Sequence, residues 1–206
     1  VTEDVARNVI GTVTLNVKGA PEAPGLPRVQ STGDQKVVLQ WDPPANNGSD
    51  ITGYTVRGGG HTQKCATTTC TITPLANDTV YNFTVTATNE IGESPASAQS
   101  ADARPDVEPE QPAAPTGTDG DQQAAFKWTA PVSRGSAIQS YTLEISPAPA
   151  NGVTQVTGIT GTSYTWKGLK NGTDYQVRVR AVNKASKPSA FSAYSAAVTP
   201  AGKPFK

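Results

Sequence analysis

The stretch LANDTVYNFTVTATNEIG, residues 75–92, is written again as LKNGTDYQVRVRAVNKAS, residues 169–186. Leu75, Asn77, Thr79, Tyr81, Val85, Ala87 and Asn89 return as Leu169, Asn171, Thr173, Tyr175, Val179, Ala181 and Asn183, each 94 positions later. Upstream, Trp41, Pro44, Gly48, Ile51 and Tyr54 return as Trp128, Pro131, Gly135, Ile138 and Tyr141, each 87 positions later. A period of roughly ninety residues is too long for stacked solenoid repeats. It suits a whole domain copied in tandem.

Within the repeated stretch, apolar and polar residues alternate. Tyr81, Phe83, Val85 and Ala87 share one face, and Asn82, Thr84, Thr86 and Thr88 the other. Tyr175, Val177, Val179 and Ala181 repeat the pattern, as do Val37–Leu39–Trp41, Ala124–Phe126–Trp128, Tyr141–Leu143–Ile145 and Tyr164–Trp166. A period of two with one apolar face marks antiparallel strands packed sheet on sheet. Turn residues separate the strands at Asn46-Asn47-Gly48, Gly58-Gly59-Gly60, Asn77-Asp78 and Asn171-Gly172. No amphipathic helix is evident. The expected fold is all-β, two tandem sandwiches of seven strands each.

Composition agrees. The 206 residues include 19 Gly and 17 Pro but no Met, and aromatics make up only 6%. No window of eighteen apolar residues is present, so no membrane-spanning helix is expected. The segment 105–112, PDVEPEQP, combines three prolines with three acids and reads as an extended connector. The expected organisation is a terminal strand of a preceding domain or linker at 1–20, with Val13, Leu15 and Val17 on one face. Sandwiches follow at 21–105 and 112–200, joined by a linker at 106–111, and a further linker begins at 201–206. The chain opens on Val1 with no leader, and we expect a piece of a longer protein.

The formal net charge is zero, yet it is divided. Residues 21–105 carry five basic and eight acidic side chains, the linker adds Asp106, Glu108 and Glu110, and residues 112–206 carry ten basic and four acidic. Such a split can orient neighbours or attract an acidic partner to one end; the alternative is drift among solvated surface residues. Glu108 and Glu110 of the linker and Arg178 and Arg180 of the basic half are therefore candidate contact residues. Arg178 and Arg180 lie on the polar face of their strand, with Glu144 expected on the neighbouring one. Phe191 and Tyr194, near the last strand, are candidate exposed aromatics. With no net basic charge and no interleaved aromatics, nucleic acid is not an expected partner.

Catalytic and metal chemistry find no foothold. The single histidine, His61, follows three glycines without a signalled partner. Cys65 and Cys70 with one His cannot complete a four-ligand zinc site. A turn between two strands can instead bring the two cysteines within disulfide reach, which implies an oxidising compartment. No cofactor motif is present.

The repeated residues resemble the fibronectin type III family. Its second-strand Trp corresponds to Trp41 and Trp128, its third-strand Tyr to Tyr54 and Tyr141. The Leu-x5-Tyr before its sixth strand corresponds to Leu75–Tyr81 and Leu169–Tyr175. The resemblance covers about nine tenths of the chain and implies a tyrosine corner in each copy. The Thr-rich flavour is similar to bacterial, particularly actinobacterial, surface copies. The Arg-Gly-Asp of integrin-binding copies is replaced by Asn-Glu-Ile-Gly (89–92) and Asn-Lys-Ala-Ser (183–186), so that route to integrins is not expected. The second copy is seven residues longer around Ser146–Gly152.

What the resemblance implies is a non-enzymatic, monomeric adhesion or interaction module of an extracellular bacterial surface protein. Its partner would be an extracellular protein, of a host or a neighbour, or a glycan. The alternatives are a passive spacer and an accessory module of a carbohydrate-active enzyme. Family analogy offers two contact surfaces: one sheet face, and the elbow between the domains, where the acidic segment 102–111 meets the basic half.

Overall fold

The computed structural model describes residues 17–202. The strand read into residues 12–17 lies, apart from Val17, outside them.

The first sandwich is built from β1 (Arg28–Gly33), β2 (Lys36–Gln40), β3 (Gly53–Gly58), β4 (His61–Cys65), β5 (Thr69–Ile72) and β6 (Thr84–Thr88). One sheet has the order β1-β2-β5 and the other β4-β3-β6. The β3–β4 hairpin closes at Gly58 opposite His61 through Gly59 and Gly60, at φ 54° and 80°. A two-residue hairpin turn of this kind requires positive φ at both positions, which glycine adopts without steric cost. Gly58 is needed for another reason: a Cβ there would stand 2.2 Å from the Asn82 carbonyl oxygen.

The second sandwich contains β7 (Thr116–Gly120), β8 (Gln123–Lys127), β9 (Ser140–Ser146), β10 (Gln155–Ile159), β11 (Ser163–Lys167) and β12 (Gln176–Val182). Its sheets have the orders β11-β8-β7 and β10-β9-β12. The register sets Glu144 opposite both Arg178 and Gln155, and Thr142 opposite Arg180.

Alternation fills each core as the sequence dictates. Val37, Leu39, Phe83, Val85, Ala124, Phe126, Leu143, Val177 and Val179 are fully buried. Trp41 meets Tyr54 edge to face at 5.4 Å, and Trp128 meets Tyr141 at the same separation. Such aromatic pairs add about 0.5–1.5 kcal/mol beyond the area they bury. Both tyrosine corners are formed. The Tyr81 hydroxyl accepts from the Ala76 backbone N–H at 3.0 Å, and the Tyr175 hydroxyl from that of Lys170 at 3.2 Å.

The expected seventh strand is not a regular one. After β6 and after β12 the chain runs extended with serine at every third position: Ser94, Ser97, Ser100 and Ser189, Ser192, Ser195. An extended helix with three residues per turn puts all three serines on one side. There each serine joins the neighbouring strand twice. The Ser192 N–H donates to the Val179 carbonyl at 2.8 Å, and the Val179 N–H donates to Ser192 Oγ at 3.0 Å. Ser189 does the same with Ala181 and Ser195 with Val177. In the first sandwich Ser94, Ser97 and Ser100 pair likewise with Ala87, Val85 and Phe83. Each serine hydroxyl passes its own proton to the carbonyl of the residue after it, so the buried polar groups are satisfied. The sandwich closes through serine N–H groups and hydroxyls, and a final backbone bridge at Tyr81–Ala103 or Tyr175–Val198, in place of a regular seventh strand, because a three-residue period cannot follow the two-residue pleat.

Candidate functional site

The serine zipper presents a second row of side chains. Residues three apart on such a segment stand roughly 9 Å apart on one face. Strand residues two apart stand about 6.7 Å apart. Because the serines match every third zipper residue to every second residue of the strand, side chains from β12 can slot between side chains of the zipper.

In the second sandwich that happens. Arg178 and Arg180 rise from β12, and Phe191 and Tyr194 from the zipper. The Arg180 guanidinium lies 4.7 Å from the Phe191 ring centre, and that of Arg178 lies 4.6 Å from Phe191 and 5.1 Å from Tyr194. The order along the face is Arg180, Phe191, Arg178, Tyr194. Glu144 completes it from β9: Arg178 Nε donates to its Oε1 at 2.9 Å, Nη2 stands 2.6 Å away, and the Tyr194 hydroxyl donates at 3.1 Å. Burial, followed by the Glu144 contact, pushes the Tyr194 phenol above its ordinary pKa. Tyr194 is 38% exposed and Phe191 is half-buried. Residues singled out separately, as a basic stripe and as exposed aromatics, are thus one cluster.

The linker residues are placed differently. Glu108 is exposed, and Glu110 pairs with Arg134 at 2.8 Å in an exposed ion pair. Pairs of this kind contribute about 0–1 kcal/mol. Asp106 is the anchored acid. It accepts from the Ser136 N–H and Oγ at 2.8 Å each, from the Val107 N–H at 2.9 Å and from Arg104 Nη1 at 2.6 Å. Burial alone would push its carboxyl up, but these donors outweigh burial and hold it below the usual carboxylate range. Gly135 makes room, since a Cβ there would stand 2.1 Å from Asp106 Oδ1. Asn183 Nδ2 then holds the next carbonyl, that of Val107, at 2.8 Å. Asn89 holds Gly19 in the same way at 2.8 Å in the first sandwich. The repeated Asn of the A-T-N and A-V-N runs is therefore a clasp on the segment entering each sandwich. Sequence reasoning noticed the repeat and missed this role, because the partner lies 76 residues away for Asn183.

Cys65 and Cys70 are bonded, with Cα atoms 5.8 Å apart. They link β4 of one sheet to β5 of the other. Ile159 and Tyr164 stand at the corresponding places of the second sandwich, packed on its core. His61 is the first residue of β4. Among the described residues no cluster of His, Cys, Asp or Glu could hold a metal, and no helix is long and apolar enough to cross a membrane.

The Fibronectin type III domain family model matches residues 22–102 and 109–196. The chain belongs to the fibronectin type III family. This fibronectin type III tandem is 31% identical over 210 residues to Exoglucanase B of Cellulomonas fimi, covering 92% of the chain and 19% of that protein. It is also 31% identical over 191 residues to Chitinase A1 of Niallia circulans, covering 88% of the chain and 26% of that protein. The tandem thus spans about a fifth to a quarter of the length of these relatives. Among solved structures, the FN1-FN3 domains of chicken CNTN1 align with a TM-score of 0.43 and 23% identity, over 89% of this chain and 68% of that one.

Proposed function

We propose that the tandem is a non-catalytic interaction module of an extracellular bacterial protein, with the outer face of β10-β9-β12 as its contact surface. The observation that carries this reading is the difference between the two copies. Both build the same serine zipper, but where the second sets Phe191 and Tyr194 against Arg178 and Arg180, the first sets Ala96 and Gln99 against Thr84 and Thr86. The fold does not require the cation–aromatic ladder, so its presence on one copy points to contact with something else. Aromatic and Arg side chains are enriched where proteins meet partners. The Cys65–Cys70 disulfide fits an oxidising, extracytoplasmic setting.

A second reading has its own support. An exoglucanase and a chitinase contain stretches similar to both sandwiches, which favours an accessory module beside a polysaccharide-degrading domain. One experiment separates the two. The purified tandem is offered to extracellular protein arrays and, in parallel, to cellulose and chitin. Retention on proteins that is weakened by Phe191→Ala with Tyr194→Ala supports the contact face. Retention on the polysaccharides supports the accessory reading. No retention on either leaves the chain as a spacer and removes the proposal.

A further inference from the structure

We propose that Arg180 is an anion-docking site for an extended polypeptide segment presenting a single carboxylate; this rests on reading the β10-β9-β12 face as the contact surface. The two arginines of the ladder are not equivalent. Arg178 has its carboxylate in Glu144. Arg180 faces Thr142 across the register, and its described contacts offer only the Phe191 ring. Its Nε is buried and makes no hydrogen bond. Arg57, on the outer face of the first sandwich, is treated otherwise: it meets Glu93 at 2.7 Å. At the outer end of the ladder the zipper position three before Phe191 is Pro188, which supplies no ring for a further rung. Arg180 therefore has one side on Phe191 and no acid of its own among the described residues.

The surroundings define the occupant. The Phe191 ring already takes two guanidiniums, which leaves little open ring face for a sugar to stack on. A polyanion is disfavoured as well. Glu144 stands on the same face one rung along, about 6.7 Å by strand geometry, and is already paired with Arg178, so the face offers one unpaired cation and no partner for a second negative group. Nucleic acids and polyuronates gain their affinity from many charges neutralised along a track. Here a single unpaired cation stands beside the Arg178–Glu144 ion pair. A polypeptide fits: in an extended segment, side chains two apart match the rung spacing, so Glu or Asp can reach Arg180 while an uncharged donor such as Thr or Gln passes Glu144. Carboxylate–guanidinium contacts are the stronger class of hydrogen bond and need only modest desolvation at a half-buried site.

The test follows the Arg180 Nε–Hε resonance of the full-length, 15N-labelled chain, a proton shielded from exchange by its burial. The probes are a Thr/Gln-rich peptide with one central Glu, the same peptide with Gln in its place, polyglutamate and polygalacturonate. The expected result is a saturable shift of Arg180 with the Glu peptide, at least about tenfold weaker with the Gln peptide, and lost in Arg180→Gln. Arg180→Lys should retain part of the binding, and both variants should melt like the parent. The proposal is overturned if no probe shifts Arg180, if the Glu and Gln peptides act alike, if Arg180→Gln binds undiminished, or if either polyanion binds more tightly per chain than the single-Glu peptide. A protein partner found in the array screen and held equally by Arg180→Gln would overturn this site while leaving the contact-module reading intact.

Discussion

Asn183 Nδ2 donates to the Val107 carbonyl at 2.8 Å and pins the segment entering the second sandwich to the end of β12. The same amide group reaches the Ser136 carbonyl at 3.2 Å and Ser133 Oγ at 3.3 Å. Asn89 repeats the arrangement with the carbonyls of Gly19, Asn46 and Ser49. In each sandwich, one buried side chain holds the entering segment together with the loop preceding β3 or β9.

Replacing Asn183 with Ala should cost about 1–3 kcal/mol, the usual penalty for leaving buried polar groups without partners. Hydrogen exchange should localise the loss to the amides around Val107 and Ser136. A uniform loss across the second sandwich, or none, would count against the clasp.

Acid should loosen the same region through Asp106. Its folded carboxyl is more acidic than its unfolded one, held there by the donors from Ser136, Arg104 and Val107 against the effect of burial. The stabilisation is therefore fully present above the unfolded pKa, near 4, and is lost as pH falls through the folded value. Urea midpoints should drop more steeply below about pH 4 in the parent than in Asp106→Asn, which should start lower at neutral pH. Parallel curves for the two proteins would show that Asp106 is not the group responsible.

The serine zipper can be probed at Ser192. Substitution by Ala removes the acceptor of the buried Val179 N–H and should cost about 1–3 kcal/mol. Ser97→Ala should act similarly on Val85 in the first sandwich. Substitution of exposed Ala193 by Ser, one position along, should change the melting temperature little. If Ser192 behaves as Ala193 does, the zipper is ornamental.

Reduction of Cys65–Cys70 should lower the stability of the first sandwich by about 2 kcal/mol, as expected for a short closed loop. Intact mass after alkylation without reductant should show no modified thiols. The double substitution Cys65→Ile with Cys70→Tyr tests the second sandwich's own solution, in which Ile159 and Tyr164 occupy these places. Such a variant should recover more stability than the double Ala variant if apolar packing substitutes for the cross-link.

Whatever depends on local periodicity was legible in the chain itself. Alternation placed Trp41, Tyr54, Trp128, Tyr141 and the apolar residues of β6 and β12 in the cores, and the doubled stretch set the number of sandwiches. The spacing of Cys65 and Cys70 foretold a bond, and the Leu-to-Tyr interval, through the family resemblance, two corners; each joins residues only five apart in the chain. Packing in three dimensions was needed for whatever joins residues of different periods or distant segments. The three-residue spacing of Ser189, Ser192 and Ser195 is visible in the chain, but its meaning appears only against the two-residue pleat of β12. Arg178, Arg180, Phe191 and Tyr194 become a ladder because three residues of the zipper advance alongside two of β12. Asp106 looked like any acid of a proline-rich connector until Gly135 left room for its carboxylate against Ser136. Glu108 and Glu110, chosen for charge alone, remained on the surface: net charge says which partners attract, and only packed geometry says which charges are held.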